Sequence, residues 1–486
     1  MSRLLEVAII GEGPGGMLAA WQLNQLTDRQ QMRITVYDSG KASTDRVCPR
    51  KSTSCDCQPS CHILEGKGGA GGWSDGKITL TAKRGVHQDS TVLGEYQTYA
   101  LEQLDRLLTE YGVEGTWHSP LESPPDVVRP LLERGWKYET YPLRHMGSDG
   151  LQVWVGNFCE HLRNNGIFQS GDRVLDILTE NGRVTGIKTE HEHIVTKEKT
   201  VASKPVDYLI VASGLAGSAW LERWAEDNGF PLSTGPADIG LRLETESESL
   251  APLIDEFYDV KLTHRAPNGL EYRSFCVNGQ GFITNENHKG LGIRGVNGFS
   301  LLWEKTGWSN MAILAKVTRD WCPVSDPKRY VLDVARSVNA RVGGATMVQR
   351  LGDFLRLPGY LSPEFAFEGA NAMQPSNIKA VWGDLASALP ESLYEGYVSF
   401  IRGIAVSAPG VLNPDNVVYG PEIKYYAHPF DVDRHWRSRD VGNLFIIGNA
   451  SGRTASLSAA ALAGMMAGRE VAEQASVEHG TTRYTY

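Results

Sequence analysis

Apolar residues fall into two rhythms along this chain. Short unbroken runs predict buried strands at Val7–Ile10, Arg33–Asp38, Val206–Gly214 and Asn443–Ile447. Spacing of three and four predicts helices at about Gly16–Leu26, at 92–111, at Gly150–Asn165 and at Ser456–Gln474. Residues 172–178, 183–190 and 193–200 alternate as strands do, with Asn181-Gly182 as a hairpin turn between the first two. Residues 239–244, 274–278 and 311–317 are further short strands, set among Gly, Asn and Pro.

The first strand runs into Gly11-Glu12-Gly13-Pro14-Gly15-Gly16, and Asp38 closes the second strand. Strand, G-x-G-x-x-G, helix, strand and acid in that order form a dinucleotide fingerprint. The glycines permit the tight turn, the close approach of backbone to a pyrophosphate, and helix packing on the strand. Pro14 is expected in the same cofactor-binding turn, the N–H groups of the helix that follows face the phosphates, and Asp38 accepts from a ribose. Three later segments read as further walls of the same ligand site. They are Gly69, Ala70, Gly71, Gly72, Ser74, Asp75, Gly76 and Lys77 in a glycine-dense loop; Ala212, Ser213 and Gly214 at a strand end; and Gly448, Asn449, Ala450 and Gly452 at the C-terminal strand end. Val174 is expected to meet an adenine through its backbone. One extended ligand with several distant walls suits FAD better than NAD. No second strand-borne G-x-G-x-x-G appears, so NAD(P)H is expected, if at all, as a transient reductant.

The expected fold is α/β: a Rossmann-like FAD-binding domain of the glutathione-reductase type, with parallel sheet and β-meander, and an inserted α+β substrate domain. The FAD-binding domain takes residues 1–90, 141–220 and 400–486. Residues 91–140 form a helical, Pro-rich insertion and 221–399 the substrate domain.

Composition narrows the class without changing it. The 486 residues carry a net charge of −9, which argues against nucleic acid or an anionic membrane as partner. The expected partner is a small-molecule substrate, with oligomeric state open. No apolar run approaches the ~20 residues of a bilayer span. Met-Ser-Arg leads directly into the first strand, and the seven cysteines are unevenly spaced. The expected location is cytoplasmic.

Beyond these local readings, the chain resembles the bacterial FAD-dependent dehydrogenases of largely unassigned function, within the two-dinucleotide-binding flavoproteins. The resemblance rests on Gly11–Gly16, Cys48-Pro49, Cys61–Lys77, Arg144–Asp149, Asp238–Arg242, Gln349–Asp353, Tyr419–Lys424 and the Gly448–Gly452 element. It implies non-covalent FAD and redox chemistry on a small organic molecule, and no particular substrate. Asn449 stands where the family commonly has an acid, so its amide must serve the ribityl chain. Ser148 stands where Thr is usual.

Several side chains are candidates for the chemistry. Lys77 suits negative charge at the flavin N1–C2=O edge, against a solvated Asp75–Lys77 pair. His145 suits an acid or donor near the flavin, against local packing with Ser148 or Asp149 capping the next helix. Arg242 suits a substrate carboxylate, against an exposed strand position. Glu422 and Lys424 alternate along a strand that either lines the site or faces water. Cys48, Cys55, Cys57 and Cys61 lie within fourteen residues. A structural metal, a redox thiol pair and free thiols all remain open for them. The expected activity is an oxidoreductase moving hydride between substrate and flavin N5. A flavin monooxygenase using NAD(P)H and oxygen, and a non-catalytic flavin module with a structural metal, are the alternatives.

Overall fold

Four largely apolar strands and one short, exposed edge strand assemble into one wholly parallel sheet, in the order Leu444–Ile446, Tyr208–Val211, Leu5–Ile10, Met32–Tyr37, Phe168–Ser170. A parallel sheet covered on both faces needs apolar residues at consecutive positions. Tyr208–Val211 and Leu444–Ile446 are accordingly buried at every residue. The computed structural model describes residues 3–48, 55, 57–58, 60–81, 96–193, 195–232, 235, 237–357 and 374–480.

Helices Pro14–Leu26 and Leu457–His479 cross in close contact. Small residues make this possible: a Cβ on Gly464 would overlap the Gly15 carbonyl oxygen, and one on Gly468 would lie 2.6 Å from that of Ala19. The C-terminal helix is thereby fixed against the first glycine turn. The expected 92–111 helix begins at Tyr96 among the described residues; positions 92–95 lie outside them. The helix expected from Gly150 starts at Gly147.

The meander pairs Arg173–Glu180, Arg183–Glu192 and Lys199–Pro205. Asn181 and Gly182 are both left-handed, with φ 51° and 71°, as a two-residue hairpin turn of type I′ requires. The third strand starts later than the expected 193–200. His193 instead opens a turn closed by the Lys197 N–H on its carbonyl at 2.9 Å. Both flanks of this strand are exposed, so no buried face fixes its start.

The second sheet has eight strands, in the order Val381–Trp382, Met347–Arg350, Val417–Lys424, Ala237–Glu246, Trp308–Val317, Glu271–Asn278, Lys261–Arg265, Lys137–Glu139. Its pairs are antiparallel except the first. Helices Ser247–Phe257, Pro327–Ala340 and Glu391–Ile404 bury their apolar stripes in its core, which is separate from that of the parallel sheet. This unit reaches beyond 221–399. It recruits Lys137–Glu139 from the Pro-rich stretch and Val417–Lys424 from the C-terminal stretch, because sheet edges are completed by strands distant in sequence. No helix among the described residues is long and apolar enough to cross a membrane.

Candidate functional site

The glycine segments meet at the C-terminal ends of the parallel strands, where open α/β sheets place their ligands. Gly11 has φ 100°, and a Cβ there would strike the Ala212 carbonyl. A Cβ on Gly13 would stand 3.7 Å from the Gly69 Cα, and one on Gly71 would stand 2.9 Å from the Pro14 ring and 3.5 Å from Leu457. Gly15 faces Ile447 and Ala460, and Ala460 also faces Gly448. Gly11–Gly16, Gly69–Gly72, Ala212–Gly214 and the C-terminal element are therefore neighbours in space. No side chain caps the helix that starts at Pro14.

Three hydroxyl oxygens in this region are buried and have no hydrogen-bond partner among the described residues: Ser213 Oγ, Thr454 Oγ1 and Ser458 Oγ. Buried hydroxyls ordinarily find a partner. Ser213 follows the strand Tyr208–Val211, Thr454 precedes the C-terminal helix and Ser458 lies in its first turn, a set that suits a polar ligand spanning them. A Cβ on Gly214 would meet nothing within 4 Å. Asn449, which follows Gly448, is half-buried. Val174 lies in the first meander strand, packed on the parallel-sheet core.

Asp38 is already at work within the protein. Its carboxylate accepts the N–H groups of Glu12 and Gly40, each at 2.8 Å. That clamp fixes the first turn to the end of the second strand, while carboxylate oxygens keep lone pairs for further donors.

Two residues of the site carry no obvious signal in the sequence. Arg46 is almost wholly buried, and its guanidinium donates to the carbonyls of His62, Ile63, Gly66, Lys67 and Gly69 at 2.7–3.3 Å. It also lies over the Trp73 ring, at 5.3 Å. Burial pulls its pKa down to about 10. Arg46 thus gathers the carbonyls of the glycine loop to one point. Glu12, also buried, pairs with Lys67 at 3.0 Å and ties this loop to the first turn. Burial raises the Glu12 pKa, against the pull of Lys67. An arginine or glutamate among loop residues looks like solvated charge, and tertiary contact alone reveals these roles.

Lys77 leaves the loop toward the second sheet. Its ammonium donates to Asn278 Oδ1 at 2.9 Å and to the Val277 carbonyl, and lies 3.4 Å from Asp75 and 3.8 Å from Asp259. Burial opposes its charge, but Asp259 and Asp75 outweigh burial and raise its pKa. The solvated Asp75–Lys77 pair is not observed: both are buried, and Lys77 joins the two halves of the molecule. Ser74 turns its hydroxyl onto the Gly71 carbonyl at 2.9 Å.

His145 sits opposite Lys77 in strand register and is buried. Burial first, then repulsion from Lys77, drives its pKa down to about 3, so the imidazole is neutral at physiological pH. The expected cap by Ser148 or Asp149 is absent. The Asp149 carboxylate instead holds the N–H groups of Leu302 and Trp303, at 2.8 and 3.2 Å. The His145 ring stands 4.8 Å from that of Tyr258, which stacks at 4.0 Å on His118. Beyond this stack a cavity of about 700 Å³ is lined in part by Trp117, His118, Phe257, Tyr258, Glu248 and Lys305.

The expectation for Arg242 is corrected. It lines no open cleft and is neither exposed nor free for a substrate carboxylate. It is wholly buried and makes a bidentate pair with Glu422 at 2.7 and 2.8 Å, with its remaining nitrogen on Asn310 Oδ1 at 2.8 Å. Glu422 is likewise no solvated strand face, and Lys424 Nζ lies 3.7 Å from it. Alternation correctly placed these side chains on one face, but that face is interior.

All seven cysteines are free. Among the described residues no three His, Cys, Asp or Glu side chains are placed to hold a metal ion, so the metal reading of Cys48, Cys55, Cys57 and Cys61 gains no support.

No family model matches the chain, and no curated protein matches it. Solved structures that resemble it include an L-amino acid deaminase from Proteus myxofaciens in complex with anthranilate, at 11% identity and TM-score 0.38, covering 98% of this chain and 91% of that one. A quinol fumarate reductase FrdA from E. coli aligns at 12% identity and TM-score 0.41, covering 98% and 72%. CtdE in complex with FAD aligns at 11% identity and TM-score 0.34, covering 98% and 90%.

Proposed function

We propose that this protein is an FAD-dependent oxidoreductase acting on a small organic molecule. The observation that carries the reading is the meeting of four distant glycine segments around unpartnered Ser213, Thr454 and Ser458 hydroxyls. The residues present fit FAD. The uncapped helix start at Gly13–Gly16 suits the pyrophosphate, and Asp38 holds the turn while its free lone pairs suit the ribose. Asn449 and the Gly448–Gly452 backbone suit the ribityl chain. When bound, FAD supplies the redox chemistry, hydride exchange at N5 with the substrate.

The protein's own part is to bind, orient and exclude water. Arg46 holds the loop carbonyls inward and turns its glycine backbone toward the ligand. Lys77 and Asp259 join the loop to the second sheet, so substrate and cofactor walls keep a fixed separation. His145, neutral and with Nε2 unpartnered, is equipped to accept or donate one hydrogen bond without bringing charge.

The test is the purified protein itself. Absorbance near ~450 nm, with FAD rather than FMN released on denaturation, is the expected result. A colourless protein that takes up no FAD on incubation would overturn the reading. Bleaching of that absorbance by candidate substrates without oxygen then separates a dehydrogenase from a monooxygenase.

A further inference from the structure

One charge of the second sheet is left over from an otherwise paired set. Ile239, Leu241, Ile313, Ala315 and Ile423 point into the helix-packed core of that sheet. Strand alternation therefore puts Asp238, Arg242, Glu422 and Lys424 on the opposite face, with Arg273 and Phe275. There Arg273 is held by Asp238 at 2.7 and 3.1 Å, and Lys261 by Asp259 at 3.2 Å. Arg242 takes both oxygens of Glu422. Lys424 comes second to that carboxylate: its ammonium lies 3.7 Å from Oε1, is partly exposed, and donates no hydrogen bond among the described residues. Burial opposes its charge, but Glu286 and then Glu422 outweigh burial, so the ammonium stays protonated. The cations also crowd one ring. Lys261, Lys424 and Arg273 stand 4.5, 5.8 and 6.0 Å from the centroid of the partly exposed Phe275. A phenyl ring attracts cations and supplies no counter-charge. The same face adjoins the glycine loop, since Lys77 lies 3.8 Å from the Asp259 carboxylate that holds Lys261 beside Phe275.

We propose that Lys424 anchors a carboxylate, so that the substrate of the proposed oxidoreductase is a small organic acid. As a substrate assignment this rests on the FAD reading; as a binding site it does not. The contact is a charge-assisted hydrogen bond, for which an ammonium brings three N–H donors and a carboxylate two accepting oxygens. Glu422 does not supply that bond, because Arg242 occupies both of its oxygens. Arg242 and Arg273 are locked as forks onto acids, whereas a lysine is a point charge on a flexible stem that can meet an incoming anion. Three cations around one ring disfavour a cationic ligand. A phosphate group, with more charge and more oxygens, calls for several open donors, and Lys424 is the one cation of this set without a hydrogen-bonded acid. The exposed part of Phe275 offers apolar surface for the carbon skeleton. An acid held here lies on the side of the second sheet that Lys77 ties to the glycine loop.

The experiment is calorimetric titration of the purified full chain with benzoate and with phenylacetate, each against its neutral amide, with flavin content read on the same sample. Wild type should bind at least one acid saturably, and its amide about tenfold more weakly, the effect of losing one hydrogen bond to a charged group. Lys424→Met should weaken the acid by the same factor of about ten and leave the amide unchanged. Lys424→Arg should recover part of the acid affinity, which guards against a misfolded methionine variant. A colourless protein that behaves in this way would sink the FAD reading and keep the carboxylate site. No saturable binding of either acid, equal affinity for acid and amide, or wild-type acid affinity in Lys424→Met would overturn the proposal. So would a flavin redox potential that shifts in Lys424→Met while acid affinity stays, because the ammonium would then serve the cofactor.

Discussion

The two sheets bury different kinds of polar group. At the ends of the parallel strands, polar atoms are left open: hydroxyls of Ser213, Thr454 and Ser458 without partners, and a helix start without a cap. Inside the antiparallel sheet, buried charges meet opposite charges, although Asn310 Nδ2 and His264 Nδ1 stay without hydrogen-bond partners among the described residues. Arg242 meets Glu422 and Asn310; Lys77 meets Asp75, Asp259 and Asn278; Asp238 meets Arg273 at 2.7 Å. Burial of a polar group therefore does not distinguish a binding site from a scaffold. What differs is charge: the buried charges of the antiparallel sheet are paired, which marks them as structure, while the hydroxyls at the parallel-strand ends await a polar partner.

That contrast can be broken first at Glu422. Glu422→Ala leaves the Arg242 guanidinium buried and unpaired, and should cost about 3–5 kcal/mol of stability in urea unfolding. The flavin bound per folded molecule should stay the same. Unchanged stability would mean that the pair is not the closed network described here. Glycine substitution attacks the open region instead. A Cβ on Gly16 would overlap the Gly11 carbonyl oxygen, so Gly16→Val should abolish flavin retention and lower stability by about 1–3 kcal/mol. Retained flavin in this variant would remove the turn from the site.

His145 gives a smaller, pH-dependent signal at the boundary of the two regions. Its folded pKa is depressed to about 3, below the unfolded value, so stability is fully present above about 6.5 and falls as pH drops toward 3. Chemical denaturation should show a slope of up to about 1.4 kcal/mol per pH unit from this one group. His145→Asn should remove that part of the slope, whereas equal slopes in both proteins would show that the imidazole titrates normally. Smallest is Ser213→Ala. Deleting an unpartnered hydroxyl should leave the apoprotein's stability within about 0.5 kcal/mol, while weakening FAD by about 1 kcal/mol, the worth of one hydrogen bond. Loss of apoprotein stability without loss of FAD affinity would reverse the assignment of Ser213 from site to scaffold.

The parallel sheet was legible because its rules are local. Consecutive apolar residues in Leu5–Ile10 and Tyr208–Val211, glycines where strand turns to helix, and the Asn181-Gly182 hairpin each act over a few positions. The extent of the second sheet was not, since Lys137–Glu139 and Val417–Lys424 join it from far outside the middle of the chain. Arg242 and Glu422 illustrate the same limit at one site. Alternation places each on a definite face of its strand, but the partner lies 180 residues away and decides whether that face is a cleft or an interior.

By itself, then, the order of residues determines the dinucleotide turn, the strands that carry it and the segments able to approach a ligand. Backbone conformation and side-chain alternation are set by near neighbours. Only the tertiary structure decides that Arg46 organises the glycine loop and that Lys77 bridges the two halves. The state of a buried charge depends on which distant groups desolvate and neutralise it, and local sequence does not encode that sum.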